Sequence, residues 1–329
     1  MRNYEIIATL GPASDVEAVW TSMLAAGVTA FRLNTSHLEL GQLWAWLERL
    51  TPFLSARQPR PALVLDLQGS KWRLGQFAPL ELAEGQTIEL VLAPSTEQPN
   101  HLPVPHADFF QAALLSSPEL RLNDAKVHLR VEAIAGEHLR ARVTRGGSLS
   151  AHKGITYLAS DFRSEVFSEK DQEIIRQTKE LPGIRYAISY LRDASEMHRY
   201  RTLLGPQAYL IAKLERAPAM AEAEQIAAEA NELWVCRGDL GAELGLPGMA
   251  RAVYDFSTRV RGLNCPVMMA GQVLEHMTAA AAPTRAEVCA SYDALSLGYR
   301  GFVLSDETAI GRNPVEACQA AAMFRDDGS

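Results

Sequence analysis

Two neighbouring stretches decide the fold: Tyr209-Leu210-Ile211-Ala212-Lys213-Leu214-Glu215-Arg216, then Leu233-Trp234-Val235-Cys236-Arg237-Gly238-Asp239-Leu240-Gly241. Each opens as an apolar, strand-like run and ends on charge, and the amphipathic stretch Ala217–Glu229 separates them. Strand, helix, strand, with the charges at the same end of both strands, is the pattern of a parallel βαβ unit. The chemistry at those ends is specific in kind: a lysine two residues from a glutamate, and an aspartate just past the next strand. Two carboxylates hold a magnesium-sized ion, and an ammonium beside them neutralises a transferring phosphoryl group or an enolate. Taken alone, Lys213 and Glu215 also describe a surface ion pair.

The same alternation extends in both directions. Strands are predicted at Tyr4–Thr9, Thr29–Leu33, Ala62–Asp66, Tyr186–Ser189, Ala208–Lys213, Leu233–Cys236, Pro266–Ala270 and Gly301–Leu304. Helices follow them at Val16–Ala26 (capped by Ser14 or Asp15), Glu39–Leu50, Ser168 to Lys179, Ala194–Leu203, Ala217–Glu229, Met249–Arg261, Arg285–Leu297 and Pro314–Phe324. Eight such units predict an α/β fold, a TIM (β/α)8 barrel, with its active site at the C-terminal strand ends. Those ends carry Thr9, Arg32, Asn34, Ser36, Asp66, Ser189, Arg192, Lys213, Glu215, Asp239, Gln272, Ser305 and Glu307. Between residues 70 and 161 the texture changes to short β-like runs, such as Thr87–Leu92, Lys126–Ala133 and Leu139–Val143, punctuated by Gly, Pro and Asn. This predicts a small all-β lid domain inserted after strand 3. The barrel is then built from two segments of chain, 1–69 and 162–329, with the lid occupying 70–161 between them.

Composition narrows the function. The net charge of −7 excludes a nucleic-acid platform. The four cysteines form no Cys-x-x-Cys pair and read as buried, reduced thiols. No signal peptide and no membrane-length apolar run is evident, so the expected location is cytoplasmic, with no membrane partner. The lid histidines, His101, His106, His128, His138 and His152, lack metal-ligand spacing, and Arg325 to Ser329 reads as a loose tail.

Eight short motifs, in order, resemble those of the pyruvate kinase family. They are Ala8-Thr9-Leu10-Gly11-Pro12-Ala13-Ser14, Phe31-Arg32-Leu33-Asn34-Thr35-Ser36-His37, Leu65-Asp66-Leu67-Gln68-Gly69, Ser168-Glu169-Lys170-Asp171, Ala212-Lys213-Leu214-Glu215, Arg237-Gly238-Asp239-Leu240-Gly241, Pro283-Thr284-Arg285-Ala286-Glu287 and Leu304-Ser305-Asp306-Glu307-Thr308-Ala309. The resemblance runs from Ile6 to Met323. It implies a barrel with a mobile β lid, and magnesium-dependent (or manganese-dependent) phosphoryl transfer between phosphoenolpyruvate and a nucleoside diphosphate, giving pyruvate and a nucleoside triphosphate such as ATP from ADP. It implies roles as well. Lys213 stabilises the phosphoryl group and enolate, and Arg32 binds the phosphoryl group. Glu215 and Asp239 hold the divalent ion. Gly238 and Asp239 offer backbone N–H groups to the substrate carboxylate, and Ser189 and Gly271 belong to the substrate-binding set. Pro12, Asn34, His37, Arg73 and Lys153 fall where the family contacts nucleotide. Asn34, Ser36 and Asp66 line its monovalent-cation site. The Pro283–Glu287 motif lies at a barrel–barrel interface in that family, which implies a homodimer through the barrel.

Four departures from the family pattern qualify these roles. Gly271, in Ala270-Gly271-Gln272, replaces a threonine implicated in protonating the enolate. Leu67, Gln68 and Lys71 stand where potassium-dependent members carry Thr, Lys and Glu. This resembles the potassium-independent branch, in which the Lys71 ammonium stands in for the alkali ion and K+ is not required. Asn123-Asp124-Ala125 replaces Asp-Asp-Gly in the lid. The sequence stops after the eighth helix, so the family's C-terminal effector domain is expected to be absent. Two alternatives to the kinase therefore stand beside it. One is a repurposed metal–enolate enzyme of lyase or aldolase type, with a larger substrate in the space at Gly271; the other is a degenerate, non-catalytic homologue.

Overall fold

The computed structural model describes residues 3–69, 71–123, 125–158 and 168–325. Asp124, the surviving lid carboxylate, and the expected domain junction at 161 and 162 lie outside them, as do four of the five tail residues. The chain divides into two compact units: Met1–Gln68 with Glu169–Arg237 and Ala252–Ser329, and Gly69–Ser168 with Gly238–Arg251.

The first unit is a closed barrel of eight parallel strands: β1 (Glu5–Thr9), β2 (Ala30–Asn34), β3 (Ala62–Leu67), β4 (Ile184–Ile188), β5 (Tyr209–Leu214), β6 (Glu232–Cys236), β7 (Val267–Ala270) and β8 (Gly301–Leu304). They pair in sequence order, and β8 closes on β1 with Ala8 opposite Leu304. The period-2 alternation of a strand sends one set of side chains to the axis. Those of mid-barrel are Ile7, Ala30, Val64, Ala187, Ile211, Trp234, Met268 and Val303, a packed interior rather than a pore. One further step along three of the strands gives Arg32, Asp66 and Lys213, all buried. The apolar plug thus supports a charged layer at the C-terminal mouth.

Helix signals were legible where a side chain does the capping. Thr284 accepts the Glu287 N–H at 3.2 Å while the Glu287 carboxylate accepts from Thr284 N–H at 2.8 Å, starting the helix Arg285–Leu297. The first helix, Glu17–Ala25, corrects an expectation: its N-cap is Val16, without a side-chain bond, and Asp15 instead pairs with Arg49 at 2.5 Å. The helix after β6 is a larger correction. Helical residues span Arg237–Ser257, but Gly245 (φ 68°, ψ 163°) is non-helical and divides them, so a helical segment that was not expected precedes the one expected from Met249. Arg325, expected in a loose tail, donates from its guanidinium to the Gly27 and Tyr4 carbonyls. Of the four thiols expected to be buried, Cys236 and Cys318 are; Cys265 is partly covered and Cys289 exposed.

The second unit holds a six-stranded sheet, in the order Ile155–Tyr157, Glu119–Leu122, Val127–Ala135, His138–Arg145, Thr87–Val91, His101–Pro103, and a two-stranded sheet of Leu80–Leu82 with Gly147–Leu149. One short helix, Ala107–Ala113, packs Phe109 edge-on to Trp72 and stacked on Tyr157 in its core. Among the described residues, no helix is long and apolar enough to cross a membrane.

Candidate active site

In the barrel unit, one buried network joins the mouths of β1 to β5. The Thr9 hydroxyl donates to the Leu304 carbonyl at 2.6 Å, which leaves its oxygen to accept from Arg32 Nη1 at 2.7 Å. Arg32 Nε and Nη2 both reach Asp66 Oδ2, at 2.8 and 2.5 Å. Three of the five guanidinium hydrogens are thereby used, and two remain in a planar fork suited to an oxyanion. The Ser189 hydroxyl donates to Asp66 Oδ1 at 2.9 Å and accepts from the Lys213 ammonium at 2.8 Å. Lys213 Nζ also meets Asp66 at 3.2 Å and Glu215 Oε1 at 2.9 Å. Glu215 Oε2 accepts the Tyr190 backbone N–H at 2.5 Å.

Electrostatics keeps this network charged. Burial by itself disfavours the Lys213 ammonium, but the Asp66 and Glu215 carboxylates outweigh it and raise its pKa above that of a free lysine. Burial pushes Asp66 up, yet Lys213 and Arg32 pull it below the ordinary aspartate range. Two cations and two carboxylates cancel, so an entering polyanion requires added positive charge here. The acids of this network are hard oxygen donors, which suit Mg2+ or Mn2+ rather than softer ions. Among the described residues, no group of three or more His, Cys, Asp or Glu side chains converges as a ready-made metal cage. A magnesium site needs no such cage, since it commonly takes one or two carboxylates and completes its shell with water and substrate oxygens.

Other expected residues sit nearby in the same unit. Asn34 Oδ1 accepts the Ser36 N–H at 3.3 Å, so these two form a local turn, and Asp66, expected with them around an alkali ion, pairs with Arg32 and Lys213. His37 and Pro12 are exposed. Gly271 has φ 78° and Gln272 φ 54°, and Arg237 grips both carbonyls, at 2.9 and 2.8 Å. The glycine is therefore built into a left-handed turn, which a β-branched residue enters only with strain. Glu307, fully buried, accepts the N–H groups of Ser305 at 2.9 Å and Leu274 at 3.3 Å, and burial raises its pKa.

The second unit holds the remaining set. Asp239 lies in the first turn of the helix Arg237–Ser257, where backbone N–H groups lack helical acceptors, and its carboxylate pairs with Lys71. Gly238 beside it is exposed. Arg73 Nη1 donates to the His152 carbonyl at 2.9 Å, and Lys153 accepts from Leu74 N–H through its carbonyl. Sequence reasoning missed Tyr190, whose contribution is a main-chain N–H at φ 61°, and no residue-type signal could have announced it. It also passed over Thr9 as a site residue, although that side chain stood among the strand-end polar groups.

The described barrel has relatives. The family description "Pyruvate kinase, barrel domain" matches residues 1–318. The chain is 33% identical over 324 residues to a pyruvate kinase of Agrobacterium vitis, covering 97% of this chain and 66% of that protein. It is 31% identical to a pyruvate kinase of Methylorubrum extorquens, covering 96% of this chain and 66% of the relative, and 31% identical to one of Mycobacterium intracellulare, covering 98% and 69%. The chain thus spans about two thirds of the length of these relatives.

Proposed function

We propose that this chain, which belongs to the pyruvate kinase family, transfers a phosphoryl group between phosphoenolpyruvate and a nucleoside diphosphate, releasing pyruvate. The observation that carries the reading is the Lys213 ammonium, buried and gripped by Asp66, Ser189 and Glu215 beside an Arg32 fork with two spare donors. In this reading Arg32 takes a phosphoryl oxygen with those two N–H groups. Asp66 holds Arg32 and Lys213 in fixed geometry, so little reorganisation is required when charge shifts. Lys213 gives up one of its three acceptors to meet the oxygen that becomes the enolate. The N–H groups at Gly238 and Asp239 receive the substrate carboxylate, and Ser189 completes the substrate set. Glu215 and Asp239 would hold Mg2+ or Mn2+, which when bound supplies charge neutralisation for the transferring group.

The nucleotide side is assigned to Pro12, Asn34, His37, Arg73 and Lys153, and ADP and ATP are the nucleotides expected. Lys71 supplies the charge that relatives of the potassium-dependent kind take from K+, so activity without K+ is expected; Asn34, Ser36 and Asp66 line that position. A cytoplasmic enzyme acting as a barrel-to-barrel homodimer fits the reading. A second reading, a metal–enolate enzyme for a larger substrate, is favoured by one observation: Gly271 is held in a conformation that discourages any bulky replacement. Comparing phosphoenolpyruvate with enol phosphates substituted at C3 separates the two. The kinase reading itself is tested by coupled formation of pyruvate from phosphoenolpyruvate, ADP and Mg2+, with K+ absent. Turnover no higher than that of folded Lys213→Met protein refutes it.

A further inference from the structure

Within the second unit, the stretch from Lys71 to Leu74 lies alongside Lys153–Ile155. Leu74 N–H donates to the Lys153 carbonyl at 2.9 Å, Ile155 N–H donates to the Trp72 carbonyl at 3.1 Å, and Arg73 and Gly154 are antiparallel bridge partners. Both backbones are thus fixed by hydrogen bonds. Lys71 is buried, and its ammonium ends on the Asp239 carboxylate. On the way its stem passes directly over Gly154. A Cβ added at residue 154 would overlap Lys71 Cε and lie 3.0 Å from Nζ. Gly154 is not among the residues with positive φ, so its backbone is open to any amino acid. What the glycine provides is space, and the space is filled by Lys71.

We propose that Gly154 is a positioning residue for Asp239: by lacking a side chain it lets Lys71 cross the strand and hold an internal cation on that carboxylate. The proposal rests on the reading of Asp239 as a ligand of the divalent ion. The Lys71 ammonium then lowers the affinity of that carboxylate for a divalent cation and raises the affinity of its surroundings for an anion. The atoms in collision are the tip of a flexible side chain rather than backbone, so Gly154→Ala is expected to fold, with Lys71 taking up the movement.

The test is a cycle of Gly154→Ala, Lys71→Ala and the double variant, with three binding and stability readouts and no turnover measurement. Free Mn2+ is titrated by electron paramagnetic resonance, oxalate by calorimetry, and unfolding is followed by temperature. One unit charge withdrawn from about 4 Å at a partly hydrated site changes an ion's affinity roughly fivefold or more. Both single variants are therefore expected to bind Mn2+ about fivefold tighter and oxalate several-fold weaker. In the Lys71→Ala background, Gly154→Ala is expected to change nothing further. An unchanged Mn2+ affinity in Gly154→Ala beside a shifted one in Lys71→Ala overturns the proposal, because Gly154 is then only a packing residue. So does an equal effect of Gly154→Ala with and without Lys71. If Gly154→Ala does not fold, a folded double variant with the properties of Lys71→Ala supports the proposal, and an unfolded one overturns it. If no variant and no parent protein binds Mn2+, the assignment of Asp239 as a metal ligand fails by itself. The oxalate and unfolding cycles then still decide whether Gly154 acts through Lys71.

Discussion

Replacing Lys213 by methionine should cost stability as well as activity, and the size of the loss follows from the contacts. The ammonium lies 2.9 Å from Glu215 and 3.2 Å from Asp66, all three groups nearly inaccessible to solvent. At an effective dielectric of about 20, each attraction is of order 5 kcal/mol before desolvation is counted. Breaking a buried pair by removing one partner typically costs about 3–5 kcal/mol, because the other charge is stranded. Here Asp66 keeps Arg32, and Glu215 loses the Lys213 ammonium but keeps the Tyr190 N–H. The lower end, about 3 kcal/mol, is expected. Glu215→Gln removes the carboxylate charge that faces Lys213 while keeping an oxygen for Tyr190. The double variant Lys213→Met/Glu215→Gln should therefore recover about 2 kcal/mol of the loss. Urea unfolding followed by circular dichroism on the four proteins gives the coupling directly. A coupling below about 0.5 kcal/mol, the ordinary error of additivity, would refute the buried-pair argument. Catalysis should fall in both Lys213 variants regardless of the rescue.

Two further outcomes are expected. At the N-terminal end of the barrel, Glu232 borders a cavity of about 940 Å3 with Glu5, Arg261 and Cys265. Burial raises its pKa to about 6, against 4.5 unperturbed, despite the Trp234 hydrogen bond. A raised carboxylate stabilises the fold below its unfolded pKa, and that contribution is lost as pH climbs to 6; the difference is about 2 kcal/mol. Glu232→Gln should thus gain roughly that much relative to the parent between about pH 4 and pH 7 in urea unfolding; a pH-independent difference would contradict the assignment. Gly271→Thr, at φ 78°, should destabilise by about 1–3 kcal/mol and Gly271→Asn by less, measured by thermal unfolding; equal stability for threonine and glycine would show that the turn relaxes freely.

The barrel was legible because each of its eight strands is an apolar run short enough to exclude a helix and ending in polar groups. The helical segment just after β6 was not anticipated because Gly241, Gly245, Pro247 and Gly248 read as breakers; Gly245 does interrupt the helical path, but the residues before it are helical as well. Lys213 and Glu215 were legible because they are two residues apart at the end of one strand. The pairing of Lys71 with Asp239 was not, since 168 residues separate them and only folding brings them together. Asp66 was legible as a site residue; that it lies between Arg32 and Lys213 follows from barrel closure, which no local pattern encodes.

The most direct measurement is the binding of Mn2+ in the presence of oxalate, followed by electron paramagnetic resonance. A single Mn2+ site is expected, weakened at least roughly tenfold by Glu215→Gln and by Asp239→Asn alike. Retention of parental affinity in either variant would contradict the claim that these two carboxylates serve one ion beside Lys213.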